Sequence, residues 1–411
     1  ADRSKAAQGI MMTIYLDHNA TTQLRPEVWD AMASVEFGTE LRGNPSSVHR
    51  VGVATMRQMA AARHTVAGIL GAQDKEIVFT GGGSEAINLA LQGVVRACGK
   101  PNPHLISTTV EHHAVLHALE SLAAQGCSVT LCPVDVTGRV DPQAIAEAIT
   151  PDTLLVSVMF VNNEVGTIQP IAQIGALCRE RGVLLHVDAV QAVGKLRVDV
   201  ADLQCDLLSF SAHKFGGPQG VGGLYVRQGT PLAPLVHGGP QEWKLRAGTQ
   251  NIAGIVGLAE ALRLAEQERE GNLEHWLQLR EILYRLPREL EAVRVNSHPD
   301  LTLPNVVNLT FMYCDGMALC MNLSMRGICI STSSACTAGD LPPSHVLKAM
   351  GLSDMAAHGA VRFSMGRSTT AEEVEQTVAV TKEIVENLRL VTHPDDIGKC
   401  KDDCPCFLSH M

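Results

Sequence analysis

Between Ile77 and Val226 the chain alternates short, apolar, β-branched runs with stretches of helical composition, and this rhythm constrains the fold most. The runs are IVFT (77–80), HLIST (104–108), SVTLCPV (128–134), LLVSVMF (154–160), VLLHVD (183–188), DLLSF (206–210) and GGLYV (222–226). Helical stretches lie between most of them, at 85–97, 114–124 and 171–181. Gly126 and Gly182 stand where a left-handed residue would stop the last two. Strands separated by helices of about 10–15 residues specify a mostly parallel sheet covered on both faces. The expectation is an α/β fold, with a seven-stranded, mostly parallel sheet in a large domain.

Beyond Gly254 the pattern changes. Helices are expected over about 254–270 and 272–292, then strand-like VVNLTF, a serine- and glycine-rich stretch, and a last helix over about 371–390. This predicts a smaller α+β domain. Residues 1–11 read as a frayed tail or a remnant outside the fold, and 12–26 as a segment associated with the small domain. Residues 27–260 form the large domain. Residues 261–392 form the small domain, with a mobile loop at 331–342, and 393–411 form a polar tail.

Composition excludes several functions. With 43 acidic against 33 basic residues the net charge is −10, which argues against a ligand with a phosphate backbone. The longest apolar runs fall short of the roughly 20 residues that cross a bilayer. No basic stretch followed by an apolar one opens the chain, so export is not expected. The twelve cysteines are too sparse for a disulfide scaffold and are expected to be reduced, in the cytoplasm.

Ligands of open parallel sheets sit at the carboxyl ends of the strands. After IVFT come Gly81, Gly82, Gly83 and Ser84, with Ser84 a candidate N-cap. This is either an anion site at a helix N-terminus or an ordinary glycine-rich turn. It matches neither GxGxxG nor the P-loop, which disfavours NAD and ATP. After HLIST, His112 stands at a strand-to-helix junction, where it could stack on a flat ring or simply cap the helix. His113 and His117 are four apart but lack the HExxH context of a zinc pair. Asp188 ends a buried strand and demands a partner, either a cationic ring nitrogen or an arginine. Lys214, in SAHKFGG, could form a Schiff base or be an ordinary solvated lysine. Together, a phosphate site, a stacking histidine, a strand-end aspartate and such a lysine meet the needs of pyridoxal phosphate.

At this point the chain resembles a known family. YLDHNATT (15–22), GNPSSVHRVG (43–52), FTGGGSEAINLA, VEHHAVL, VNNEVGTIQP, HVDAVQAVGK, SAHKFGGPQGVGGLYV, RAGTQN, SSACTAG (333–339) and VRFSMGR (361–367) are similar, in this order, to cysteine desulfurases of the NifS/IscS type. These belong to the class V aminotransferase-like, fold-type I pyridoxal phosphate enzymes. The resemblance covers about residues 13–390. It implies Lys214 as the Schiff-base lysine, Asp188 as partner of the pyridinium nitrogen, His112 stacked on the ring and Gln191 bonded to its phenolic oxygen. Gly83, Ser84, Ser211 and His213 would surround the phosphate, with Thr249 reaching in from a second subunit of a homodimer. Asn163 would lie near ring and substrate, and Arg362 would take the substrate carboxylate. Ser84 stands where the family usually has threonine.

Cys336 would be the nucleophile. It lies in a run of small residues without apolar periodicity, which suits a loop. The implied reaction takes sulfur from L-cysteine, leaving L-alanine and a persulfide on Cys336. A sulfur-acceptor protein, such as an iron–sulfur scaffold, would receive it, and Cys336 could transiently share a metal ligand role with that scaffold. Cys98, Cys127, Cys132, Cys178, Cys205, Cys314, Cys320 and Cys329 read as packing residues. Cys400, Cys404 and Cys406 (KCKDDCPCF) are candidate soft metal ligands in a tail outside the resemblance. Two other readings stay open: a selenocysteine lyase, and a metal- or sulfur-binding partner whose catalysis is vestigial.

Overall fold

Leu207 and Leu208 are both fully buried, yet they belong to different clusters of the core, and so do Leu155 and Val156. Neighbouring residues of a strand point to opposite faces, so both faces of this sheet are covered. The computed structural model describes residues 13–38, 43–332 and 343–390. The tail at 1–11, Cys336 with most of its loop, and Cys400, Cys404 and Cys406 with the tail at 393–411 lie outside the described residues.

The sheet contains β1 (Ile77–Thr80), β2 (His104–Thr108), β3 (Ser128–Cys132), β4 (Thr153–Met159), β5 (Leu184–Asp188), β6 (Leu207–Ser211) and β7 (Gly222–Val226), in the spatial order β1-β7-β6-β5-β4-β2-β3. Only β7 runs antiparallel, pairing with both β1 and β6. On one face lie α1 (Pro26–Phe37) and α2 (Arg50–Leu70), which pack through Val28, Val66 and Leu70. On the other lie α3 (Gly83–Cys98) and α4 (His113–Ala124). Helix α5 (Ile171–Arg181) stops at Gly182, whose φ of 66° is the left-handed cap its sequence position suggested. Helix α4 is closed by Gln125 instead, with Gly126 one residue later.

The expected break at Gly271 is absent. Helix α6 (Ile252–Leu283) runs through it, because good helix formers on both sides outweigh the cost of one glycine, about 1 kcal/mol. Its first half, Ile255 to Ala265, packs with the large sheet. Trp276, Leu279 and Leu283 pack in a second cluster. That cluster also holds α7 (Ala371–Leu390) and an antiparallel sheet of β8 (Val293–Val295), β9 (Val306–Phe311), β10 (Ser331–Thr332) and β11 (Ala360–Ser364), ordered β10-β11-β9-β8. Ile14 and Leu16 of the N-terminal segment join it, with Ile14–Tyr15 paired to Ile328–Cys329.

A buried ion pair ties the segment before α6 to the edge of the large sheet. Arg63 donates to both carboxylate oxygens of Glu242, at 2.8 and 2.7 Å, and both side chains are nearly inaccessible. Glu242 Oε2 also accepts the Phe79 amide of β1 at 2.9 Å. Removing one partner strands the other charge, so Glu242→Ala should lower stability by about 3 kcal/mol or more. Urea unfolding of the two proteins checks this; a loss below about 1 kcal/mol would show that the pair is not held from water.

Candidate active site

Strand β1 ends at Thr80, and the chain turns through Gly82 with φ 150° and ψ −179°, a conformation open essentially to glycine alone. A Cβ at Gly83 would come within 2.8 Å of Val190 Cγ2. Gly82, not Ser84, is therefore the N-cap of α3, and Ser84 sits inside the first turn. The head of this helix, with Ser211 and His213 from the end of β6, borders an open groove of about 450 Å³. Backbone N–H groups at a helix N-terminus attract an anion.

Beside it lies a cavity of about 340 Å³, bordered by Gly83, Ser84, His112, Asn163, Asp188, Gln191, Ser211, His213, Lys214 and Arg362. These come from the carboxyl ends of β1, β2, β4, β5 and β6, and from β11 of the second sheet. Thr249 does not join them: it is exposed, in the segment before α6.

Burial sets the charges here. Asp188 accepts the Val190 amide at 3.0 Å and belongs to no ion pair among the described residues. Burial raises its pKa to about 6, against the pull of the Val190 hydrogen bond and of Lys214. Lys214 Nζ donates to the carbonyls of Asn19 and Ala20, at 2.6 and 2.8 Å. Its pKa is lowered to about 8, first by burial and then by the Arg362 cation. His112 caps its helix, one of the two roles its position allowed. Its Nδ1 accepts the Ala114 amide at 3.0 Å as the cap of α4, and its ring borders the cavity. Burial and Lys214 lower its pKa to about 4, so the ring is neutral; His213 is lowered to about 4 in the same way. Arg362 is 4% exposed and donates to the Asn163 carbonyl at 3.0 Å and to Asp17 Oδ1 at 2.7 Å.

Four residues at the site were not singled out from the sequence. Asn19 accepts from Lys214 and Gln191 through its carbonyl. Lys195 lies buried beneath Gln191. Glu111 is fully buried, with its pKa raised to about 8; its Oε1 accepts from Thr108 Oγ1 at 2.6 Å, while Oε2 has no partner among the described residues. Glu164 accepts the Ser344 hydroxyl at 2.5 Å, and burial raises its pKa to about 7. Each lies inside a motif already quoted, and Glu111 and Glu164 adjoin His112 and Asn163; that was the available signal. Among the described residues no group of three or more His, Cys, Asp or Glu is arranged to hold a metal ion, and no helix is long and apolar enough to cross a membrane.

The residues fit pyridoxal 5'-phosphate. The glycine turn leaves room for a phosphate, the unpaired Asp188 suits a ring cation, and Lys214 is an amine that is half neutral near pH 8. Only the neutral amine attacks an aldehyde, so capture of the cofactor by apoprotein should speed up with pH through about 8 and level off above. Stopped-flow absorbance measures this. A midpoint near that of a free lysine, about 10.4, would contradict the environment described for Lys214.

Comparison with known proteins agrees with this chemistry. The class-V aminotransferase family matches residues 14–377. The chain is 45% identical over 376 residues to a cysteine desulfurase IscS of Methanosarcina thermophila, covering 92% of this chain and 93% of that one. Among solved structures, a NifS-like protein matches with a TM-score of 0.85 at 39% identity, over 92% of this chain and 100% of the other. SspA in complex with cysteine matches with a TM-score of 0.75 at 36% identity, over 86% of this chain and 99% of that one. The chain belongs to the class-V aminotransferase family of pyridoxal phosphate enzymes, and within it to the cysteine desulfurases.

Proposed function

We propose that the protein removes sulfur from L-cysteine, releasing L-alanine and holding the sulfur as a persulfide on Cys336. The observation that carries this reading is the convergence of Lys214, Asp188, His112 and Arg362 on one cavity. When bound, pyridoxal phosphate supplies an aldehyde for an amine and a ring that stores the electrons released at the substrate Cα.

The chain's own residues do the rest. Gly83, Ser84, Ser211 and His213 hold the phosphate. Asp188, ionised above about pH 6, keeps a proton on the ring nitrogen. His112, neutral, would lie against the ring, and Gln191 would donate to the ring oxygen. Arg362 binds the substrate carboxylate through guanidinium protons that Asp17 and Asn163 leave free, with Asn163 alongside. Lys214 would take the proton from the substrate Cα. The Cys336 thiolate would then attack the substrate sulfur: an S–S bond forms, the Cβ–S bond breaks with its electron pair left on the carbon skeleton, and protons added at Cβ and at Cα complete alanine.

No described cysteine borders the cavity. Burial pushes Cys178, Cys205 and Cys320 up to about 12, so these are inert thiols. That supports assigning the nucleophile to Cys336. The strands and contacts at either end of its segment also favour this. Ser331 pairs opposite Arg362, Ser344 bonds Glu164, and His345 Nε2 bonds the Glu111 carbonyl at 2.9 Å.

A homodimer is part of the proposal. Thr249 is exposed on its own chain, Trp243 of the same segment is 53% exposed, and a second copy would bring Thr249 to the phosphate groove. The acceptor is a sulfur-receiving protein such as an iron–sulfur scaffold. The eight described cysteines are all free, which supports a reducing, cytoplasmic setting.

Cys336→Ala should bind pyridoxal phosphate as the wild type does, with an unchanged visible spectrum, yet form no persulfide by mass spectrometry. Release of sulfide from cysteine at the wild-type rate would overturn the mechanism. Arg362→Gln should raise KM for cysteine by about 10-fold or more, as expected for a lost charge-assisted contact.

A further inference from the structure

Lys195 is a buried cation that the proposed mechanism does not use. It is 4% exposed and makes no ion pair among the described residues. Burial, Lys214 and Arg362 push its pKa well down. Its Nζ donates to Gln191 Oε1 at 2.7 Å and to Asn19 Oδ1 at 3.2 Å. Either protonation state supplies the two donors these contacts use. The Gln191 amide is therefore gripped at both ends, because its Nε2 donates to the Asn19 carbonyl at 2.9 Å. That carbonyl also receives Lys214 Nζ. Gln191 and Lys195 are four residues apart in the turns that follow Asp188, which puts the two side chains on one side of the segment.

An unpaired lysine in the interior is costly, and an apolar residue of similar volume would avoid the cost. Its shorter contact orients Gln191. With its carbonyl held by Lys195 and one amide proton held by Asn19, Gln191 has a single donor left for the cavity it borders. A freely turning amide could offer its carbonyl instead, which would repel an oxygen anion. The groups around Lys195 are Lys214 from the end of β6, Arg362 from β11, and His18 and His213, whose pKa values it lowers. No carboxylate bonds to it among the described residues.

We propose that Lys195 is a positioning residue for the cofactor: it fixes the Gln191 amide so that an N–H, not the carbonyl, meets the ring oxygen of pyridoxal phosphate. This rests on the reading that Gln191 bonds that oxygen. A donor draws off negative charge from the ring oxygen, so the nitrogen that joins Lys214 to the cofactor gives up its proton at lower pH. Loss of the donor moves that midpoint upward.

The test is the pH titration of visible absorption in the cofactor-loaded wild type, Gln191→Leu, Lys195→Met, the double variant and Lys195→Gln. Gln191→Leu should raise the midpoint by about one pH unit. Lys195→Met should raise it by at least half as much, and the double variant no further than Gln191→Leu alone, the signature of one residue acting through another. Lys195→Gln restores a donor without a charge, and its midpoint should return toward the wild type. An unmoved midpoint in Lys195→Met, or a double variant equal to the sum of the singles, overturns the proposal. So does a Lys195→Gln protein that behaves like Lys195→Met, because the effect would then be one of charge. Should Lys195→Met fail to fold, Lys195→Ala takes its place beside Lys195→Gln, and the same outcomes support or overturn the proposal. If Gln191→Leu itself leaves the midpoint in place while Lys195→Met moves it, the Gln191 reading has failed, and this inference with it.

Discussion

The hydrogen-bonding groups of Asn19 are taken, and their partners come from both sheets. Its carbonyl receives Lys214 and Gln191 from the large sheet, and its amide N–H goes to Ser364 Oγ of β11. Its side chain binds Lys195 and Asn305 through Oδ1 and the Asn163 carbonyl through Nδ2. Two residues earlier, Asp17 holds Arg362. A short N-terminal segment of extended and turn residues thus sets the distance between the lysine of one sheet and the arginine of the other. The reaction needs that distance fixed, because an amino acid must reach both groups at once.

The same convergence creates an electrostatic problem. Arg362 lowers the proton affinity of both Lys214 and Lys195, Lys214 lowers that of Lys195 further, and burial raises the pKa of Asp188 and Glu111 nearby. Arg362 alone is bonded to a carboxylate. The result is chemically useful: a lysine near pKa 8 is a competent base and nucleophile at neutral pH, where an ordinary lysine is not. The excess of positive potential also suits a cofactor and substrate that bring a phosphate and a carboxylate. Stability is given up locally to obtain this, as is common where groups are arranged for chemistry rather than for folding.

Much of the large sheet was legible because its strands are buried on both faces and bounded by sharp breaks. β1, β2 and β7 occupy the residues that their apolar runs mark out, and the other strands differ by one or two at their ends. Periodicity failed at Gly271, where a glycine read as a stop sits in open space on a continuing helix. It also left α2 unread, because its apolar face is built largely of alanine, valine and glycine among polar residues. The site followed from the motifs where a side chain sits at a strand end. It did not where a residue acts through a partner distant in sequence. The contact of Lys195 with Asn19 spans 176 positions, and no local spacing announces it.

Glu111 and Glu164 extend this argument to the residues that flank the Cys336 segment. Each precedes or follows a cavity residue, His112 or Asn163, and each meets the chain just after the segment that carries Cys336. Their burial raises both pKa values, to about 8 and about 7, so near neutral pH each holds a proton or readily takes one. A protonated Glu164 can share its hydrogen bond with Ser344 without placing a bare charge against the core, whereas an ionised one gains from Arg362, which lowers its pKa. The balance between those two states therefore bears on how firmly residue 344 is held. At the other end, β10 fixes Ser331 opposite Arg362 by backbone pairing, which no proton alters. One end of the Cys336 segment thus starts from a sheet, with Ser331 opposite Arg362, and the other from a hydrogen bond to a buried carboxyl, that of Glu164.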